Sequence, residues 1–188
     1  MLQLNFYKVM KSTVLFLLFA ICLTPIHAQL TNFELRKMYD ASITDAKLNK
    51  EFEVNLSKIH NRTAVEEAYL GATYAMSAQF VESYMTKFKL VIKAKTHLDK
   101  AVDKAPDNPE THFIRFSIEH HLPAYLGMSS HLLKDLNYVF QHLDFLDDDI
   151  EMKRKVVGFL LWTNRCNLQQ KIKLEAIKRT MQVMSGKS

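Results

Sequence analysis

Apolar residues recur three and four apart along almost the whole chain after residue 30, and no alternating Val/Ile/Thr-rich run of strand length interrupts them. Thr31 or Asn32 can cap a first helix reaching about Lys47, with Leu35, Met38, Tyr39 and Ser42 on one face. Asn49 is expected to interrupt it, and Phe52, Leu56 and Ile59 continue the pattern in a second, shorter stretch. Asn61-Arg62-Thr63 starts a third helix, with Glu66 spaced from Thr63 as a capping box requires and Val65, Tyr69, Ala72 and Met76 on one face. A long fourth helix should run from about Ser83 to Ala105, carrying Phe88, Val91, Lys95, Leu98 and Val102, until Pro106 stops it. Asn108-Pro109 places a cap before a proline at the first helical position and opens a fifth helix bearing Phe113, Phe116, Ile118 and Leu122. Pro123 ends that one. Beyond Gly127 a sixth helix should span Ser129 to Leu143. Asp147, Asp148 and Asp149 open a seventh with Val156, Val157, Leu160 and Leu161. Residues 168–184 form an eighth, with Ile172, Ala176, Ile177, Met181 and Met184 facing inward.

Composition narrows the fold further. The 188 residues include only 4 Gly and 4 Pro, far below the roughly 12% of an average chain. Such scarce turn chemistry disfavours sandwiches, barrels and glycine-dependent phosphate loops. With 48% hydrophobic and 24% charged residues, wholesale disorder is excluded. Short connections favour antiparallel neighbours. The expected fold is therefore all-α, with helical hairpins stacked in a single domain over residues 29–188.

Residues 1–28 read as a secretory signal peptide. Lys8 and Lys11 supply the positive end, Val14 to Leu23 the apolar core, and Ile26-His27-Ala28 the cleavage site before Gln29. The apolar run is half the length a bilayer span needs. Met10 is an alternative start, and retention as an anchor or lipidation at Cys22 are alternative fates, although Ile21 is a poor residue before a lipidated cysteine. Removing Lys8 and Lys11 lowers the formal net charge from +5 to +3 and leaves Cys166 as the one thiol. No internal disulfide can then form, so core burial must supply stability. Asn167 and Gln170 have capping-box spacing, which puts Cys166 just before a helix N-terminus, a place where a thiol pKa can fall. Its ordinary role is that of a small apolar residue.

Leu70-Gly71-Ala72-Thr73-Tyr74 resembles the Leu-Gly-x-x-Tyr of a tetratricopeptide first helix. Ala94, Leu98, Ala101 and Pro106 resemble that repeat's second helix and its closing proline. The two halves stand about eleven residues further apart than a 34-residue unit allows, so the comparison is to a tetratricopeptide-like hairpin with elongated helices. Asn108-Pro109-Glu110 would open a second unit, which has no Leu-Gly-x-x-Tyr of its own. As a whole the chain resembles small exported helical-repeat proteins of Gram-negative bacterial envelopes. That resemblance implies a divergent stack of helical hairpins and a binding role in the periplasm. It implies no reaction.

Candidate chemistry is thin. His112 and His120 lie nearly on one helix face and Glu119 and His121 flank His120, but the four-residue ligand spacing of helical zinc sites is absent. Solvent-facing or capping histidines are expected instead. Asp144, Asp147, Asp148, Asp149 and Glu151 lack the alternating acids and central glycine of a calcium loop and suit a helix start. Residues 152–188 hold Lys153, Arg154, Lys155, Arg165, Lys171, Lys173, Lys178, Arg179 and Lys187 against Glu175 alone. This stretch is expected to be a solvated face, with Lys171, Lys173, Lys178 and Arg179 pointing away from Ile172, Ala176 and Met181. Contact with an anionic membrane through residues 152–188 is the alternative. The aromatics Tyr69, Tyr74, Phe80, Tyr84, Phe88, Phe113, Phe116, Tyr125 and Tyr138 are expected mainly in the core. No nucleophile elbow, phosphate loop or paired-carboxylate motif is present. No catalytic, metal or cofactor residue is assigned, and no nucleic acid is expected. The expected partner is a protein or peptide, with a metal-dependent enzyme or binder as the alternative. Processing is directly measurable: the mass of the exported protein should correspond to a chain beginning at Gln29, and an intact N-terminus or a lipid on Cys22 would refute this.

Overall fold

The computed structural model describes residues 30–146 and 148–185, so the predicted signal peptide, Cys22 and Asp147 lie outside the described residues. Eight α-helices follow one another: α1 Asn32–Ser42, α2 Ala46–Ser57, α3 Ala64–Ser77, α4 Tyr84–Lys104, α5 Pro109–His121, α6 Leu132–Gln141, α7 Ile150–Trp162 and α8 Leu168–Ser185. Short 3₁₀ turns occupy Ala124–Leu126 and Leu143–Leu146. The described residues are 76% helical and contain no strand. The all-α class follows as the periodicity predicts.

Local chemistry explains most boundaries. Thr63 accepts from the Glu66 amide at 3.2 Å while the Glu66 carboxylate accepts from the Thr63 amide at 2.6 Å, completing the predicted capping box. Asn108 caps α5 through the amides of Glu110 and Thr111, with Pro109 at the first turn. Gly127 takes φ +62, the left-handed conformation that glycine adopts without steric cost. The first break falls earlier than expected. Asp45, not Asn49, divides α1 from α2, because its carboxylate accepts from the otherwise orphaned amides of Lys47 and Leu48 at 2.8 and 3.0 Å. Asn49 stays inside α2, buried, donating to the Thr73 carbonyl and the Ser77 hydroxyl across the helix interface. The sixth helix is also shorter than predicted, beginning at Leu132 and giving way to a 3₁₀ turn at Leu143.

Each helix packs on the next from α1 to α6, and α7 on α8. Helices α3 and α4 run antiparallel, Glu67 meeting Lys100 while Tyr74 meets Lys93, and so do α5 and α6, His112 meeting Tyr138 while Glu119 meets His131. The odd-numbered helices lie side by side. Tyr39 of α1 meets Tyr69 of α3, α3 packs on α5, and Phe113 and Phe116 of α5 meet Phe159 of α7 edge-on at 5.8 Å. An apolar cluster including Phe116, Leu136, Leu146, Val156, Leu160, Leu174 and Met181 holds the last four helices together.

Helix α8 is rotated relative to expectation. Leu174, Ile177 and Met181 face the core, whereas Ile172 is 57% exposed and Ala176 is exposed too. The sequence holds two apolar stripes, and the capping box of Asn167 and Gln170 (both bonds 2.9 Å) with the buried Gln170–Asn137 contact selects one. Two cations expected in plain solvent make contacts: Lys173 lies 5.1 Å over the Phe140 ring, and Lys171 donates to Asn164 at 2.6 Å.

Gly71 marks the tightest approach between α3 and α4. A Cβ there would stand 2.9 Å from Leu98 Cγ and 3.0 Å from the Ala94 carbonyl oxygen. Glycine within a helix costs about 1 kcal/mol relative to alanine, and the close packing it permits offsets that. Gly71→Leu should lower the unfolding free energy by about 1–3 kcal/mol through overpacking. Urea denaturation measures this, and an unchanged midpoint would show that the contact is not tight.

Candidate functional site

The four odd-numbered helices surround a cleft of about 630 Å³. Its lining is chiefly apolar: Tyr39 from α1 and Ile43 just after it, Tyr69 and Met76 from α3, Phe113, Ile114 and Ile118 from α5, Met152 and Phe159 from α7. Gln79, Ser117 and His121 add polar groups, and Lys155 reaches across to pair with Asp40, bridging α7 and α1. Apolar walls with a few convergent polar groups are the usual make-up of a ligand cleft.

Buried charge holds these walls in place. Glu110, 2% exposed in the first turn of α5, receives two parallel bonds from Arg36 at 2.9 and 2.8 Å and a third from the Tyr69 hydroxyl at 3.0 Å. Arg36 also donates to Asp149 at 2.6 Å, and Asp149 caps α7 through the Met152 amide at 2.9 Å. One guanidinium therefore ties α1 to α5 and α7, while the hydroxyl adds α3. Burial disfavours the charged guanidinium, but Glu110 and Asp149 outweigh it and raise the Arg36 pKa. Burial and the neighbouring Asp40 raise Tyr39, while burial and Glu110 raise Tyr69, which keeps the Tyr69 hydroxyl a protonated donor to Glu110.

A second charged lattice joins α4, α5 and α6. Asp135, fully buried, accepts from Arg115 at 2.7 and 2.8 Å and contacts His112 Nδ1 at 2.6 Å. Burial would raise its carboxyl, but the bonds from Arg115 and His112 prevail and hold it below the usual range. Asp99, Glu119 and His131 bring one ligand atom each within 4.8 Å of the others, the geometry a cation could use. Protein cations already stand there: Lys95 Nζ is 3.0 Å from Asp99, and Arg115 is 3.2 Å from it. A metal would have to displace Lys95.

The third node is Glu67, buried in α3 and held by Arg62, His97 and Lys100 at 2.7, 2.8 and 2.9 Å. Arg62 also caps the end of α2 through the carbonyls of Leu56 and Ile59.

The histidines do not gather. His112 is buried between Asp135 and the Pro106 carbonyl, against the expectation of a capping or solvent-facing ring, because Asp135 supplies a buried partner. His120 lies at the far end of α5, accepting from Arg165 at 2.9 Å and touching Trp162. Burial, then His121 and Arg165, lower its pKa. Asp149 is a cap, as predicted for the acidic run. Cys166 does precede a capping box, but burial raises its thiol pKa against a weaker pull from Lys171, opposite to the lowering its position allows. Of the aromatics expected in the core, Phe80, Tyr84, Phe88 and Tyr125 are exposed: they sit in the α3–α4 connection, the first turns of α4 and the loop after α5, at helix ends rather than between helices. Arg36, Glu110, Arg115 and Asp135 escaped sequence reasoning. The one available signal was Asp135 among Leu132, Leu133, Leu136 and Val139, an acid on an apolar face.

No protein family, curated protein or solved structure matches the chain.

Acid titration tests the Glu67 node. Burial pushes the Glu67 carboxyl up, but the bonds from Arg62, Lys100 and His97 dominate and bring it down to about 2 from an ordinary 4.5. A carboxyl depressed on folding stabilises above its unfolded pKa, and that contribution is lost as pH falls through about 4.5 towards about 2. Glu67→Gln should be less stable at pH 7 and show a shallower fall in melting temperature across that window. Parallel acid limbs for the two proteins would contradict the assignment.

Proposed function

We propose that this is a non-enzymatic, exported helical-repeat module of the tetratricopeptide-like kind that binds a protein or peptide in a bacterial cell envelope. The observation that carries the reading is the 630 Å³ cleft framed by α1, α3, α5 and α7. In tetratricopeptide-like stacks the first helices of successive hairpins line the binding groove, and the odd-numbered helices correspond to them. Gly71 packed against Ala94 and Leu98 supports the same comparison, since small residues let two helices approach closely. The apolar lining favours a peptide that inserts bulky apolar side chains. Gln79, Ser117 and His121 are positioned to meet its backbone.

Export rests on the N-terminal pattern of a basic end, a short apolar core and Ala28. Among the described residues no helix is long and apolar enough to cross a membrane.

Filling the cleft tests the proposal. The protein should retain extended peptides carrying Phe, Leu or Met from an immobilised peptide panel, and release them when Ser117→Trp or Gln79→Trp occupies the cleft. At least one variant should keep the parent's melting temperature. Absence of retention, or retention unaffected by a folded filled variant, would reject a peptide-binding cleft.

A further inference from the structure

Helices α3, α5 and α7 run in the same direction: Arg36 joins the starts of α5 and α7 while His120 meets Trp162 at their ends, and Tyr69 meets Glu110 near the starts of α3 and α5 while Gln79 and His121 share the cleft beyond their middles. The α3–α4, α5–α6 and α7–α8 junctions therefore share one end of the stack. Contacts knit that end together. Ser129 donates to the Glu119 carbonyl, Arg165 donates to His120, and Val91, Leu122 and Met128 line one small void.

Large exposed apolar side chains concentrate there. Tyr84 is 88% exposed, Tyr125 86% and Trp162 65%, and Met85, Phe88 and Leu168 join them. At the opposite end, exposed large apolar residues are fewer and hold no Tyr or Trp: Ile150 in the stretches 58–63, 103–109 and 142–151, with Phe33 at the start of α1 and Val183 near the end of α8. The apolar end also carries Lys87, Lys89, Lys134, Arg165 and Lys171 against the exposed Glu82. The opposite end is of mixed charge, with Asp103, Asp107, Asp148 and Glu151 standing among Lys58, Lys104, Arg154 and Arg179.

We propose that the end formed by these three junctions is a docking surface for an anionic lipid bilayer. Tyr and Trp rings suit the headgroup level, where one edge is apolar and the other wet. Interleaved cations meet lipid phosphates, and their stems lie along apolar surface. An acidic protein partner could bury such rings as well, but they stand on three separate junctions with cations between them, a spread that suits the plane of a charged bilayer. The surface is distinct from most of the cleft wall and does not depend on the cleft's ligand. It also differs from contact through the whole of residues 152–188: only Trp162, Arg165, Lys171 and the start of α8 take part, joined by α4 and the loop after α5.

Trp162 is the sole tryptophan of the chain, so its fluorescence reports on this end directly. The full chain should be mixed with phosphatidylcholine vesicles with and without phosphatidylglycerol. With phosphatidylglycerol, Trp162 emission should shift to shorter wavelength and be quenched by brominated acyl chains, and added salt should reverse both. Lys87→Gln and Lys89→Gln should each weaken the partitioning that Trp162 reports about fivefold. The double variant Tyr84→Ser/Tyr125→Ser should abolish the quenching with helicity unchanged, while Phe33→Ser, on α1, should leave it intact. Vesicle sedimentation without any change at Trp162 would overturn the proposal, since binding would then occur elsewhere. So would a concentration-dependent blue shift without lipid accompanied by dimer sedimentation, which would identify a second copy as the occupant.

Discussion

Glu110 enters the stack at the first turn of α5, where water barely reaches it, and its charge must be met by the protein. Arg36 meets it with a planar fork and Tyr69 with a hydroxyl, leaving α1, α3 and α5 in one fixed relation. Because the same guanidinium reaches Asp149, the start of α7 is drawn into that relation as well. A slide of α1 by one turn would leave a carboxylate buried alone, which costs far more than a misplaced leucine. The cleft inherits its shape from this constraint: Tyr39 and Tyr69 on one wall, Met152 and Phe159 on the other, at the spacing these charged links set.

Buried apolar side chains fill both halves, but charge is distributed unevenly. Helices α1 to α6 are additionally stitched by Glu67, Glu110 and Asp135 and their basic partners, while α5 to α8 close over an apolar cluster including Phe116, Leu136, Leu160 and Leu174. Buried ion pairs add little net stability but penalise every alternative register. Helix α5 belongs to both regimes, with Glu110 and Arg115 on one side and Phe116 on the other. It is consequently the most buried of the helices that frame the cleft after α3.

Helix existence and type were legible in the sequence because a 3.6-residue period and local caps such as Thr63, Asn108 and Asn167 act within one turn. The Leu70-Gly71 pattern located the tight α3–α4 approach for the same reason: a glycine in a helix interior needs a neighbour to justify it. Asn49 reads as the break in sequence because its partners Thr73 and Ser77 lie on another helix, and until they are in place nothing sets it apart from a helix-ending asparagine. The face of α8 was misread because two apolar stripes are equally periodic, and only the Gln170–Asn137 contact chooses between them. The framework of the cleft was not legible. Arg36, Glu110 and Asp149 are spread across 113 residues between first and last, and each looks like an ordinary surface or helix-end charge until the chain folds.

That separation bears on how the stack assembles and opens. Most packing joins neighbours in sequence, so hairpins can form early with little loop-closure entropy. The Arg36–Asp149 and Asp40–Lys155 links span almost the whole domain and are the contacts whose closure costs most. They are few, polar and partly wet. Fluctuations that part α1 from α7 therefore need not disturb the hairpins on either side, and they rank among the cheapest sub-global openings available to the fold. Amide exchange in α1 would be the natural clock for that motion, and the same opening is a way into the cleft.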